Sequence, residues 1–271
     1  MDRLKTAIAT GVAAAAVLWS GLAWSAGIEV LWLGQAATRI TTPSGKVIMI
    51  DPFLRKNPKT PAAYKDLKAL GKVDLILVTH GHFDHTADVG ELAKLTGAKV
   101  VGNGALPHQM TAYGVIAKGQ GISMNKSGTV MALGPGIKVH MVPAEHSSSL
   151  GVMDGDKRRI VYSGMPVGYV IELENGFKIY HSGDTGVFGD MALINTFYAP
   201  DLALVAIGGH FTMDPKGAAY AMDKLVKPKQ VIPIHYGTFP PLKGTPAELK
   251  AALGNSSIKV LDVEPGQAVK F

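Results

Sequence analysis

The chain has 271 residues, 47% of them hydrophobic, which is enough for one large α/β domain or two small ones and too apolar for a disordered chain. It contains no cysteine, so disulfides, thiolate zinc sites, a cysteine nucleophile and a lipid-modified amino-terminal cysteine are excluded, and any metal must be held by His, Asp or Glu. The formal charge of +6 drops only to +5 without residues 1–25, and its basic residues form no stripe interleaved with aromatics; nucleic acid is not an expected partner, whereas a small anionic substrate would fit.

Residues 1–25 begin with the short charged stretch around Arg3 and Lys5 and continue as an apolar run from Ala7 to Trp24. Ala23 and Ser25 place small residues at the two positions that cleavage requires, so a secretory signal peptide cut after Ser25 is expected, with the protein secreted or periplasmic. The alternative is an uncleaved anchor, which would be the chain's one contact with a membrane. Residues 26–271 form the expected functional domain, and no oligomeric state follows from the sequence.

Three strands are expected next, over 28–33, 37–41 and 46–50, broken by Gly34 and by the turn Thr42-Pro43-Ser44-Gly45. The third ends at Asp51-Pro52-Phe53, where Asp51 is either a partner for a ligand histidine or a turn cap. The apolar, β-branched run 74–79 reads as a buried strand, and it delivers Thr79-His80-Gly81-His82-Phe83-Asp84-His85 at its carboxyl end. A tight turn there lets His80 and His82 face one metal while Asp84 and His85 face a second; imidazole and carboxylate together suit zinc, manganese or iron.

A helix over 86–96 and a strand over 99–102 follow, and residues 103–128 carry no clear pattern. The strand 137–142 leads to His146 and to Ser147, Ser148 and Ser149, hydroxyls suited to binding substrate or to capping the turn. His140 lies within that strand's alternation and is read as structural or surface. Strands 169–173 and 177–180 flank the hairpin turn Glu174-Asn175-Gly176, and the second runs into Asp184, whose two oxygens could bridge two cations. A buried strand over 202–207 ends near His210. Asp214-Pro215 opens a helix to about Val226, the strand 230–234 delivers His235, Thr245 and Glu248 form a capping box, and 258–263 is the last strand.

These residues resemble the metallo-β-lactamase-fold hydrolases over nearly the whole chain after the signal segment, through the His-x-His-x-Asp-His signature. Ile50 to Phe53, Glu145 to Ser149, Ser182 to Met191, Ile207 to Met213 and Val231 to Pro240 look like the subgroup of metal-dependent hydrolases related to L-ascorbate-6-phosphate lactonase. The resemblance implies an αβ/βα four-layer sandwich. It also implies one metal on His80, His82 and His146, a second on Asp84, His85 and His235, and Asp184 bridging. Phe83 stands where the family often has a small residue.

The implied activity is hydrolysis with two divalent cations, zinc first and manganese second, acidifying a water that attacks a lactone or other carboxylic ester. Asp84, Asp184 and His210 are the candidate catalytic residues, with Asp84 or His210 returning a proton to the leaving group. The alternatives are a phosphodiesterase of the same fold and a secreted metal-binding protein without turnover.

Overall fold

The computed structural model describes residues 27–271; the expected signal segment, residues 1–25, lies outside the described residues. Strands β1 (Glu29–Trp32), β2 (Thr38–Thr41) and β3 (Val47–Ile50) form an antiparallel meander, with Glu29 opposite Thr41 and Thr38 opposite Ile50. Strands β4 (Leu75–Leu77), β5 (Lys99–Asn103) and β6 (Gly121–Met124) extend the sheet in parallel. A second sheet opens with β7 (Thr129–Val130) and β8 (Lys138–Pro143), and β9 (Ser149–Asp154) with β10 (Lys157–Tyr162) forms a separate hairpin. Strands β11 (Val167–Glu172), β12 (Lys178–His181), β13 (Leu202–Ala206), β14 (Gln230–Ile234) and β15 (Lys259–Val260) complete the second sheet. Strand β16 (Ala268–Lys270) returns antiparallel beside β1, so the sheet orders are β16-β1-β2-β3-β4-β5-β6 and β15-β14-β13-β12-β11-β8-β7.

Side-chain parity builds four layers from these two sheets. Because successive residues of a strand point to opposite faces, strands apolar at every position must be covered on both sides. Ile48, Ile50, Leu75 and Leu77 of the first sheet meet Tyr169, Ile171, Leu202, Leu204 and Ile232 of the second in a central core. The opposite parity of the first sheet, Met49, Ile76 and Val100, packs under helices α2 (Val89–Thr96) and α3 (Leu106–Ala112), with Val89, Leu92 and Met110 facing it, and the short helix α1 (Phe83–Thr86) precedes them. Ala203, Val205 and Val231 of the second sheet pack under α4 (Met191–Tyr198), α5 (Pro215–Tyr220) and α6 (Pro246–Leu253) through Ile194, Ala218 and Leu249. The expected αβ/βα sandwich is therefore present.

Several boundaries differ from the sequence reading. The expected helix 86–96 is two helices, α1 and α2, and the first already holds Asp84 and His85. The break falls at Asp88, whose carboxylate accepts from Leu54 N–H at 2.6 Å and from Arg55 Nε at 2.6 Å instead of capping its own helix. The unassigned stretch contains α3 and β6, and the hairpin β9–β10 was not foreseen. The last expected strand shortens to Lys259–Val260, and the helix from Pro215 gives way to a π-helical turn at Ala221–Val226. Both helix starts are as read: Asp214 accepts from Gly217 N–H at 2.7 Å, and Thr245 and Glu248 close a capping box. Among the described residues, no helix is long and apolar enough to cross a membrane.

Candidate metal centre

The site lies where strands of both sheets end. β4 delivers His80 and His82, the short helix α1 carries Asp84 and His85, the turn after β8 brings His146, the turn after β12 brings Asp184, and β14 ends directly before His235. Their ligand atoms gather into three overlapping groups: His80 with His82 and His146, His80 with His85 and Asp184, and Asp84 with His85 and His235. All seven residues expected as ligands are thus brought together. Asp184 stands at the centre, with Oδ2 3.1 Å from His235 Nε2 and 3.6 Å from His146 Nε2, and Oδ1 3.4 Å from His85 Nε2.

Outer contacts fix which ring nitrogens face inward. The Thr79 hydroxyl spends its one proton on Asp51 Oδ2 at 2.6 Å, so it can only accept from His80 Nδ1 at 3.0 Å. That leaves His80 Nε2 with its lone pair toward the cluster. His85 Nδ1 lies 2.7 Å from Asp51 Oδ2, which likewise turns His85 Nε2 inward. Asp51 therefore orients one histidine of each trio.

The backbone is bent to make this possible. Asp51, His235 and Gln35 all hold φ near +50°, at 48°, 58° and 52°, a left-handed conformation that is costly for residues with a Cβ and clusters where strands must turn side chains into a site. Gly81 is required for a different reason. A Cβ there would lie 2.2 Å from Ser163 Oγ, because the metal loop is pressed against the base of the β9–β10 hairpin, where its N–H donates to Ser148 Oγ at 3.1 Å. Of the three serines, Ser148 thus anchors the loop, and Ser147 Oγ stands 3.4 Å from His82 Nε2.

Charge reinforces the gathering. His80, His85, Asp184 and His235 are buried, and Asp84 nearly so, whereas His82 and His146 are half-buried and open the site to solvent. Burial pushes the His80 imidazole well below its ordinary range, with His85 adding to the effect. His85 moves the other way: against its burial, the carboxylates of Asp184, Asp51 and Asp84 hold it well above. Burial likewise opposes, but Asp184 drives, the rise of His235 to about 9. Asp184 stays well below the ordinary carboxylate range despite burial because His235 and His85 face it.

This donor set fits divalent cations. Among the described residues, buried His85 Nε2 and Asp184 Oδ1 have no hydrogen-bond partner although they face each other at 3.4 Å, an arrangement that is costly unless a cation sits between them, where it would displace the imidazolium proton and take a lone pair from each. Imidazole and carboxylate donors without sulfur match a borderline or hard divalent ion.

Gln35 was not foreseen. Its Nε2 donates to Asp84 Oδ2 at 2.7 Å and lies 2.7 Å from His235 Nε2, while its backbone carbonyl accepts from His235 N–H at 2.9 Å. The break in apolar pattern at Gly34-Gln35 was the available signal, but an amide is not a typical ligand. His210 is exposed, has φ 56°, and sets its ring edge-on against Phe211 at 4.4 Å. Its loop reaches the Asp184 turn through Met213 N–H to Thr185 O at 3.0 Å, and its ring makes no hydrogen bond to the cluster among the described residues. His140, on β8, pairs with the Thr129 hydroxyl through Nδ1 at 2.8 Å, as expected of a structural histidine, while its Nε2 has no hydrogen-bond partner among the described residues.

Comparison with known proteins agrees with this geometry. The family described as a beta-lactamase superfamily domain matches residues 46–236. A UPF0173 metal-dependent hydrolase of Cupriavidus necator is 55% identical over 247 residues, covering 90% of this chain and 86% of its own. A metallo hydrolase of the archaeon Ignicoccus hospitalis superposes with a TM-score of 0.78 at 34% identity, covering 91% of this chain and 99% of that one. The metallo-β-lactamase-fold protein YhfI of Bacillus subtilis shares the fold at 12% identity, with a TM-score of 0.62 over 91% of this chain and all of the other. With its signature loop and its ligand set converged in this fold, the chain belongs to the UPF0173 metal-dependent hydrolases of the metallo-β-lactamase superfamily.

Proposed function

We propose that this hydrolase works with two divalent cations, zinc first and manganese second, and opens a lactone or cleaves another carboxylic ester. The observation that carries the reading is the convergence of two histidine-containing trios on one central carboxylate, Asp184, whose Oδ1 and Oδ2 address different histidines. Cations bound there would supply Lewis acidity and would acidify a water enough to attack near neutral pH.

The chain's own residues do the rest. His80, His82 and His146 would hold one cation and Asp84, His85 and His235 the other, with Asp184 between the two groups. Asp84 Oδ2, aligned by Gln35 Nε2, is placed to take the proton from the attacking water and pass it to the leaving oxygen. His210, on the neighbouring rim loop, is the second candidate for that proton.

A carboxylic ester is favoured over a phosphodiester by what surrounds the site. Arg55, which could have gripped a phosphate with its guanidinium fork, spends it on Asp88 at 2.6 Å and on Glu91. The rim beside Asp84 is aromatic instead.

The test is a turnover panel on protein stripped by chelation and reloaded with zinc or manganese, with matched lactones, simple esters and phosphodiesters and with metal content measured in parallel. Two metals per chain and metal-dependent turnover of lactones or esters, lost in Asp184→Asn, is the expected result. Turnover of phosphodiesters alone would reverse the order of substrates, and two bound metals with turnover of nothing in the panel would leave a binding role as the better reading.

A further inference from the structure

Phe53, Phe83 and Phe239 come from three separate loops and meet in one cluster, with ring centroids 5.8 Å apart for Phe53 and Phe83, 6.0 Å for Phe83 and Phe239, and 6.3 Å for Phe53 and Phe239. Each of those loops also serves the half of the centre formed by Asp84, His85 and His235. Phe53 follows closely on Asp51, the partner of His85; Phe83 directly precedes Asp84; Phe239 lies on the turn that starts at His235. Phe53 is buried and anchors the group, whereas Phe83 is 59% exposed.

A single exposed phenylalanine requires no explanation. Phe83 differs because it is backed by two other rings and flanked in the chain by the ligand residues His82 and Asp84. As the first residue of a four-residue helix it is free to be polar, since that turn asks nothing apolar of its outward side. The exposed apolar surface therefore stands on the same chain segments that carry or support Asp84, His85 and His235, and a substrate reacting there, rather than a distant partner, is what would cover it.

We infer that Phe83, supported by Phe53 and Phe239, is the subsite for an apolar acyl or aryl group of the substrate. The ester or lactone then carries a hydrophobic chain next to the scissile carbonyl. This rests on the metal-dependent ester hydrolase reading above, and its test does not require the true substrate to be known.

Hydroxamates chelate a metal centre through their head group and present a chain of chosen length. Isothermal titration of the zinc-loaded protein with acetohydroxamate, hexanohydroxamate and decanohydroxamate should show affinity rising about three- to fourfold per methylene over the length the wall covers. In Phe83→Ala that rise should fall to less than half. Phe83→Leu should keep most of it, and Phe197→Ala, which removes a ring 71% exposed on α4, should leave it unchanged. Equal chain dependence in wild type and Phe83→Ala, or none in wild type, overturns the inference alone. Failure of acetohydroxamate to bind zinc-loaded protein overturns the metal-centre reading and takes the inference with it. Should Phe83→Ala instead change only the sedimentation of the protein, the wall is a contact between copies and the inference is wrong.

Discussion

Asp51 Oδ2 lies 2.7 Å from His85 Nδ1 and accepts from Thr79 Oγ1 at 2.6 Å, so one buried carboxylate sets the orientation of His85 directly and of His80 through the threonine. Asp51→Asn keeps the shape but puts a donor where two donors already point. Loss of an outer partner of this kind costs about ten- to a hundredfold in metal affinity. Titration of the stripped variant with zinc, with a competing chelator as reference, should show that loss, and unchanged affinity would mean that the histidines hold their orientation without Asp51.

How far all this could be read from the chain depends on what kind of signal each residue gives. Burial on both faces was legible for β4 and β13, which are apolar at successive positions, whereas the αβ/βα layer order was implied by the resemblance carried by the His-x-His-x-Asp-His signature. His80 to His85 were legible because the ligands are adjacent in sequence. The hairpin β9–β10 was not: its second strand, from Lys157 to Tyr162, is almost wholly exposed and offers no alternation to detect. Nor was α3, a short helix with Pro107 in its first turn that buries only Leu106, Pro107 and Met110. Gln35 escaped because its role comes from contacts 49 and 200 positions away, at Asp84 and His235, and an isolated glutamine carries no mark of that.

Metal removal should lower stability. A ligand present at a hundred times its dissociation constant stabilises the folded state by about 2.7 kcal/mol. For a chain of this length that corresponds to a fall in Tm of about 5–10 °C on adding a chelator. Differential scanning calorimetry with and without chelator measures it; identical melting curves would be incompatible with cations held at buried His85 and Asp184.

Gly81→Ala should unseat one half of the centre more than the other. Its Cβ would lie 2.2 Å from Ser163 Oγ and 3.0 Å from the backbone of Ser149, so the loop carrying His80 and His82 must move away from the hairpin. Asp84, His85 and His235 have the separate support of Gln35 and Asp51. The expected result is a fall from two metals toward one in the purified variant, read by elemental analysis. Retention of both, with wild-type affinity, would show that the close approach is not what seats the loop.

Gln35→Leu tests whether the unforeseen amide aligns Asp84. The substitution keeps the bulk of the side chain at the same left-handed position but removes the donor that meets Asp84 Oδ2 at 2.7 Å. Asp84 is 9% exposed, so water restores little of what is lost, and a charged acceptor deprived of its donor costs about 1–3 kcal/mol. Urea unfolding of the stripped protein should show that loss as a lower midpoint with an unchanged slope. A proton relay through Asp84 adds a second expectation: in the zinc-loaded variant kcat should fall more than KM rises, because the misaligned carboxylate affects proton transfer more than substrate binding. If the midpoint falls and kcat does not, Gln35 supports the fold around Asp84, and the leaving-group proton passes through another residue, with His210 the next to substitute.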